Sequence, residues 1–567
     1  MEKIKDMFHY GSFERRIIFM TTESAISAII WQIINQYLLY FSFDNGIASE
    51  NIQFITLYAI FLLVKVILNA IEGIYHCIIR HHLQRDFSYY ARKDIFENLI
   101  NAKVSYFDSS DTGELLELSM NDSQKFATFF TQNGQVTLRH IFTIIVCIVT
   151  LLFMNVKLAG ILVVIYIIGY LGIFISNKKR IKLIKKIREA DIAITKSITE
   201  QINGLEIIKN LRIEEERIKT LSNMIDKYNK ESRNLDKVIR NYKIVYDLLS
   251  LLALMIVGIF GGLNLSEGIM TYGALMVFIN STSRITKSVN HAINHTERLF
   301  RDYISFLKIL KFKEDVKLEE DEGKEELKSV ENIELRNIEF SYSENSKVLK
   351  GINLFVNKNE KIAIIGKTGS GKTTLVNLLC RFYELESGEI LINGKDYKDY
   401  SLSTFRDKIG YVMQDVIIFK GNVYDNINYA NKNISNEEII KICKKLKLHD
   451  KIMSLKDGYE TNLSENKDIL SQGEKQMINF ARIMVENPEI IILDEITSSL
   501  SYENEELVKN AVKEVMEGRI CFVIAHRLST IKNCDKILLM EDGKIVEQGS
   551  HEELIDRKEK YYNLVNA

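Results

Sequence analysis

Residues 360–380 read "EKIAIIGKTGSGKTTLVNLLC": a short apolar run, a turn of Gly, Lys, Thr and Ser, then a second apolar run. The spacing G-x-x-x-x-G-K-[ST] falls on Gly366, Gly371, Lys372 and Thr373. Glycines there let backbone N–H groups close around phosphate oxygens. Lys372 supplies a cation for the β and γ groups, and the Thr373 hydroxyl suits Mg²⁺. Set between a strand and a helix, the pattern predicts an α/β phosphate-binding domain. Its candidate cradle is Gly366, Lys367, Thr368, Gly369, Ser370, Gly371, Lys372, Thr373 and Thr374.

Downstream, "PEIIILDE" (488–495) reads as a buried parallel strand ending in two carboxylates. Asp494 is expected at the C-terminal edge of the sheet, where α/β folds bind ligands. There it suits Mg²⁺, and Glu495 suits the attacking water as general base. A third strand, "RICFVIA", runs into His526, placed to reach a γ-phosphate. A second anion grip is expected at "LSQGEKQ" (470–476), because the first N–H groups of a helix have no partner within it.

The chain has 567 residues and a net charge of -1, which excludes a nucleic-acid binder that relies on a basic surplus. Its six cysteines include no C-x-x-C pair, so a zinc site or a disulfide is not expected. Residues 1–16 are charged throughout and read as an interfacial amphipathic helix rather than a signal peptide. Six stretches are apolar and long enough to cross a bilayer, near 17–42, 52–76, 136–154, 158–176, 242–264 and 268–289. The third and fourth are joined only by "NVK".

"SFDNGIASEN" and "NLSEG" carry no Lys or Arg, whereas "RHHLQRDFSYYARK" and "NKKRIKLIKKIR" are dense in them. By the positive-inside rule both termini are expected in the cytosol. The stretches 77–135 and 177–241 read as helices running on beyond the bilayer. Their far ends are expected near Gly113 and Gly204. Polar residues inside the spans, namely Gln32, Asn35, Gln36, Asn69, Glu72, Asp247 and Asn280, suit either interhelical hydrogen bonds or substrate contact. The resulting division is a transmembrane domain at 1–310, a linker at 311–329 and a nucleotide-binding domain at 330–567. The fold class is a multi-domain membrane protein, an all-α six-helix bundle with long cytosolic extensions followed by an α/β cassette.

"GKTGSGKTT", "VMQD", "LSQGEKQ", "IIILDE" and "IAHR" stand in the order and spacing of the ATP-binding cassette (ABC) transporters. The chain resembles their exporter half-transporters over nearly its whole length. The resemblance implies ATP and Mg²⁺ as cofactors; the six spans imply a multi-pass location, and the Lys/Ile/Asn-rich, Pro-poor composition points to a bacterial cytoplasmic membrane. It implies that Tyr342 stacks on adenine, that Gln414 links the γ-phosphate and Mg²⁺ to the membrane domain, and that Glu465 meets coupling helices borne by "FDSSDTGELLELSMND" (107–122) and "EQINGLEIIKN" (200–210). It also implies a dimer in which Ser471, Gln472, Gly473 and Glu474 cover the partner's ATP. Three positions depart from the family's usual pattern: Glu474, Ser501 and the loop "SENK" (464–467). All three face the other chain's nucleotide or its coupling apparatus, which favours a heterodimer with a second half-transporter over a homodimer. The expected function is ATP-driven export of a lipid, drug-like compound or peptide. A gated channel or regulator of the same architecture is the alternative, and the presence of Glu495 and His526 weighs against it.

Overall fold

The computed structural model describes residues 13–47, 51–108, 110–321, 323–342, 347–413, 416–429, 434–463, 469–494, 502–525 and 531–566. Two compact units emerge, one of residues 1–101 and 110–316, the other of 102–109 and 317–567. The expected boundary at 310 therefore falls inside a helix, and a short internal segment joins the second unit.

The first unit is built on six long helices among the described residues. They are α1 (Phe13–Ser42), α2 (Ile52–Ile100), α3 (Thr112–Met154), α4 (Val156–Asn203), α5 (Glu214–Ser266) and α6 (Tyr272–Asp315). Four described segments are long and apolar enough to span: Arg16–Gly46, Ile52–Ile100, Thr112–Met154 and Glu214–Ser266. In α4 the apolar part is Val156–Gly172, and α6 opens on a stretch diluted by Asn280, Ser281, Thr282 and Arg284. The α3–α4 joint shrinks to Asn155, whose extended backbone breaks the helix while its side chain accepts from Leu158 N–H. The expected extensions are helical: α2 runs unbroken to Ile100 and α5 starts at Glu214. Of the expected amphipathic start, 1–16, residues 1–12 lie outside the described residues and 13–16 open α1.

Intramembrane polar groups differ in their partners. Gln32, Asn35 and Gln36 are at most 2% exposed, and Gln36 Nε2 donates to Ser281 Oγ of α6 at 2.9 Å. Gln32 Nε2 donates to Cys147 Sγ of α3 at 3.3 Å. These are bonds between helices, as expected where bilayer hydrocarbon offers no partner. Asn280 accepts from Arg284 on its own helix, and Asp247 accepts from Asn290 of α6. Glu72 lies 3.6 Å from His76, and Asn69 is exposed. Sequence reading missed Lys65, a buried cation in the middle of α2 whose Nζ donates to the Trp31 carbonyl at 3.4 Å. Gly169 and Gly172 leave room for Tyr246 and Tyr242 of α5, and Tyr242 O–H donates to the Gly169 carbonyl at 2.7 Å.

The polar ends of α3 and α6 are bound by two carboxylates. Buried Asp122 accepts from Ser305 Oγ at 2.6 Å and lies 3.6 Å from Lys308, while Asp302 accepts from Thr128 and Asn133. Nearby, the Phe126 ring of α3 stacks on Phe87 of α2 and on Phe306 of α6.

The second unit carries two sheets. Strands β1 (Asn332–Ser341), β2 (Lys347–Asn357), β3 (Lys361–Ile365), β4 (Ser387–Ile392), β5 (Lys395–Asp396) and β6 (Ile409–Val412) come first. Then follow β7 (Ile490–Asp494), β8 (Ile520–Ile524), β9 (Lys536–Glu541) and β10 (Lys544–Gly549). An antiparallel sheet has the order β2-β1-β4-β5, and the main sheet has the order β10-β9-β3-β8-β7-β6. Along β3, β7 and β8 successive residues feed opposite cores: Ala363, Leu493 and Val523 on one side, Ile364, Ile492 and Phe522 on the other. That is why these strands read as unbroken apolar runs. Helix α7 (Lys372–Leu379) follows β3, and α8 (Gln472–Glu486) precedes β7. Helix α8 ends on Asn487 in the left-handed conformation (φ 50°), and Pro488, the single proline, prevents its continuation.

Candidate functional site: a phosphate loop and its carboxylate

The parallel register puts Ile364 opposite Ile524 and Ile524 opposite Asp494. Strand β8 thus lies between the phosphate-loop strand and the carboxylate strand. At about 4.8 Å per strand, the Asp494 backbone stands roughly 10 Å across the sheet edge from Ile364. The loop leaving β3 turns through Gly366 (φ 152°), Gly369 (φ 83°) and Gly371 (φ 100°), conformations that favour glycine. A Cβ on Gly366 would stand 2.3 Å from the Met540 carbonyl oxygen, so the loop is also closed sterically to any larger residue.

Gly371 caps α7, and its first residue, Lys372, is buried, with Nζ donating to the Gly366 carbonyl at 2.9 Å and the Lys367 carbonyl at 3.1 Å. The ammonium is therefore held inside the loop, in the concavity that a phosphate chain would fill. Ser370 Oγ is buried and has no hydrogen-bond partner among the described residues. A phosphate oxygen fits that deficit. Thr373 is exposed at the helix mouth, and Asp494 accepts from Tyr411 O–H at 3.3 Å. Burial, with the Asp494 charge added, pushes the Tyr411 phenol well above its ordinary range, so it stays a donor that orients the carboxylate. One hydroxyl and one carboxylate beside a phosphate cradle are the hard oxygen ligands Mg²⁺ takes, with phosphate and water completing the shell.

Tyr342 stands half exposed with its O–H donating to Thr374 Oγ1 at 3.2 Å, beside the cradle. Gln414, Glu465, Glu495, Ser501 and His526 lie outside the described residues. Ser471 caps α8 and forms a reciprocal box with Glu474: Ser471 N–H donates to Oε2 at 2.8 Å, and Glu474 N–H donates to Ser471 Oγ at 3.4 Å. Lys451 Nζ lies 3.1 Å from the other carboxylate oxygen. Burial pulls the Glu474 carboxyl upward, but the Ser471 N–H and Lys451 outweigh it and hold it below its ordinary value. The departure from the family pattern at 474 therefore closes a helix cap, and its charge is balanced within the chain.

The depressed carboxyl stabilises the fold in full above the ordinary carboxylate range, and this contribution is lost as pH falls through the lower folded-state value. Glu474→Ala is expected to cost about 1 kcal/mol in the cap. Amide exchange across 472–475 should then be about fivefold faster, whereas Glu474→Gln, which keeps an acceptor, should stay within about twofold. Unchanged exchange in the alanine variant would show the box to be energetically empty.

Sequence reading missed three residues around this site. Lys451 and Tyr411 act through contacts distant in sequence. Tyr383, whose ring meets that of Tyr342 edge-on at 5.2 Å, had no motif to mark it.

Residues 16–289 match the family model of the ABC transporter transmembrane region, and residues 349–498 match that of the ABC transporter. An ATP-dependent lipid A-core flippase of Syntrophus aciditrophicus (strain SB) is 31% identical over 475 residues, covering 83% of this chain and 79% of that protein. YgaD of Bacillus subtilis (strain 168), provisionally named a multidrug export ATP-binding/permease protein, is 30% identical over 488 residues, covering 84% and 83%. A bacterial Atm1-family ABC exporter solved with ATP bound superposes with a TM-score of 0.83 over 96% of this chain and 97% of that one, at 22% identity, which establishes the shared fold. The chain belongs to the ABC transporter family, as a half-transporter in which one transmembrane region is fused to one ATP-binding cassette. It is a multi-pass membrane protein that binds ATP and couples its hydrolysis to transport.

Proposed function

We propose that this chain is one half of a dimeric exporter that moves an amphiphilic compound, a lipid, drug-like molecule or peptide, out of a bacterial cell across the cytoplasmic membrane, with both termini in the cytosol. The observation that carries the reading is the loop 366–374, closed around a buried Lys372 ammonium and followed by an exposed Thr373 hydroxyl. Backbone N–H groups and Lys372 hold the β and γ phosphates. Tyr342 faces adenine, and Thr373, Gln414 and Asp494 hold Mg²⁺, which neutralises charge on the transferred phosphoryl group. Glu495 orients and deprotonates the attacking water, and His526 contacts the γ-phosphate. Ser471, Gln472, Gly473 and Glu474 cover the nucleotide of the opposite chain. The relatives named for lipid and multidrug export support an amphiphilic cargo.

A heterodimer is the assembly we favour, because Ser501 and the loop 464–467 depart from the family pattern on the side that serves the partner's nucleotide. The Glu474 cap and its Lys451 pair favour the second reading, a homodimer that tolerates a variant signature. Purified alone, the chain is expected to be monomeric or to show weak, cargo-insensitive ATPase activity. A stable homodimer with full cargo-stimulated turnover would decide for the second reading.

A further inference from the structure

Two cations lie deep in the helical bundle, Lys65 on α2 and Arg284 on α6. Their helices open at Ile52 and Tyr272, next to the loops that carry no Lys or Arg. At 1.5 Å per residue both cations stand about 20 Å along from those ends. That depth is inside a hydrocarbon core roughly 30 Å thick, where a charge is costly unless something pairs with it. The other cations described within the expected spans, Arg139 and Lys287, are exposed.

The carboxylates described in the spans are committed elsewhere. Glu23 and Glu72 lie 3.2 and 3.6 Å from His76. Asp44 accepts from Gly273 N–H at 2.6 Å, and Asp247 accepts from Asn290. Among the described residues, Lys65 Nζ meets the Trp31 carbonyl at 3.4 Å and the Phe61 ring at 5.9 Å, neither of them an anion. Arg284 uses Nε on Asn280 Oδ1 at 3.0 Å, and its two terminal nitrogens have no hydrogen-bond partner among the described residues. The Arg284 charge acts on Lys65 and Tyr58 of α2 and on Cys147 of α3, so it stands within electrostatic reach of both helices. The two cations therefore repel, and each raises the cost of the other. A single anion between them relieves both. Beside them is an apolar wall: Trp31 and Tyr58 flank Phe61, with ring centroids 6.2 and 6.3 Å from it.

We propose that Lys65 and Arg284 form the headgroup contact of the transported compound, and that this compound is an amphiphile carrying a phosphate or a carboxylate. The assignment rests on the reading of the chain as an exporter of an amphiphile and narrows it. A cationic cargo would add a third positive charge at the same depth, whereas an anionic one completes the charge balance of the bundle.

The test uses the full-length transporter assembled with its partner, and its first reading needs no transport. Binding of phosphatidylglycerol and of phosphatidylcholine with matched acyl chains is compared by native mass spectrometry. The anionic lipid should bind about tenfold more tightly to the wild type. Lys65→Gln and Arg284→Gln, which keep hydrogen-bonding capacity without the charge, should each bring it to within about threefold of phosphatidylcholine. Lys65→Arg and Arg284→Lys should retain most of the preference. Phosphatidylcholine binding should stay within about twofold in every variant, which a merely structural role would not produce. The second reading is ATP-dependent accumulation in inside-out proteoliposomes of three nitrobenzoxadiazole-labelled probes: phosphatidylglycerol, phosphatidylcholine and dodecanoate. Faster transport of the labelled phosphatidylglycerol supports the site with a bilayer lipid as source, and faster transport of the labelled dodecanoate supports it with an anion taken from water. Accumulation of a probe without preference for the anionic ones in either reading would overturn the headgroup assignment and leave export standing. A charge-dependent preference in binding with no accumulation of any probe would overturn export, and the assignment of a cargo contact with it.

Discussion

Lys372→Ala is expected to weaken ATP binding about a hundredfold and to bring ATP turnover to background. The ammonium is held in the loop by the Gly366 and Lys367 carbonyls, at 2.9 and 3.1 Å, and a hydrogen bond to a charged partner is worth more than one between neutral groups. The loop's conformation is set by Gly366, Gly369 and Gly371 and by the close approach of Met540, none of which the substitution changes. The loss therefore reports the missing charge rather than a collapsed loop. Titration with a fluorescent nucleotide measures it. Binding within about twofold of wild type would remove Lys372 from the site.

Glu495→Gln should separate binding from chemistry. Removing a general base typically costs about 10²- to 10⁴-fold in rate, so steady-state hydrolysis should fall by that order while ATP affinity stays within about threefold. The amide keeps the size and hydrogen-bonding capacity of the carboxylate but not its basicity. Asp494, one residue earlier at the edge of β7 and the residue proposed for Mg²⁺, is unchanged. Undiminished turnover would overturn the assignment of Glu495. A fall in affinity as large as the fall in rate would move it from the base to the binding shell.

The cassette was legible where a motif fixes local backbone. "GKTGSGKT" requires glycines at positive φ between a strand and a helix, and they are found there. Strand order was not legible: periodicity marks β3, β7 and β8 as buried parallel strands, but which neighbours which is settled by packing across the sheet. Hence Asp494 proves to be two strands away from the phosphate-loop strand. The cap of α8 was written in the sequence as Ser471-x-x-Glu474, yet comparison with the family turned attention to Glu474 as a departure. Lys451, which balances its charge, is a long-range contact that no local pattern announces. The same holds for Tyr383 and Asp108, 275 residues apart in the chain. In the membrane region, apolar runs located four of the six expected spans among the described residues, because hydrocarbon admits few alternatives. The helix α6 shows the limit, since Asn280 to Arg284 dilute its hydropathy while Ser281 bonds to Gln36.

The measurement that bears most directly on ATP-driven export is uptake into inside-out proteoliposomes containing the assembled transporter. Two probes suffice to begin, a fluorescent phospholipid analogue and a cationic dye. The account predicts ATP-dependent accumulation of at least one probe above its equilibrium distribution, sensitive to vanadate and absent in Glu495→Gln. Equilibration without accumulation, or flux that persists in Glu495→Gln with ATP bound, would mark a gated pathway and contradict the pump.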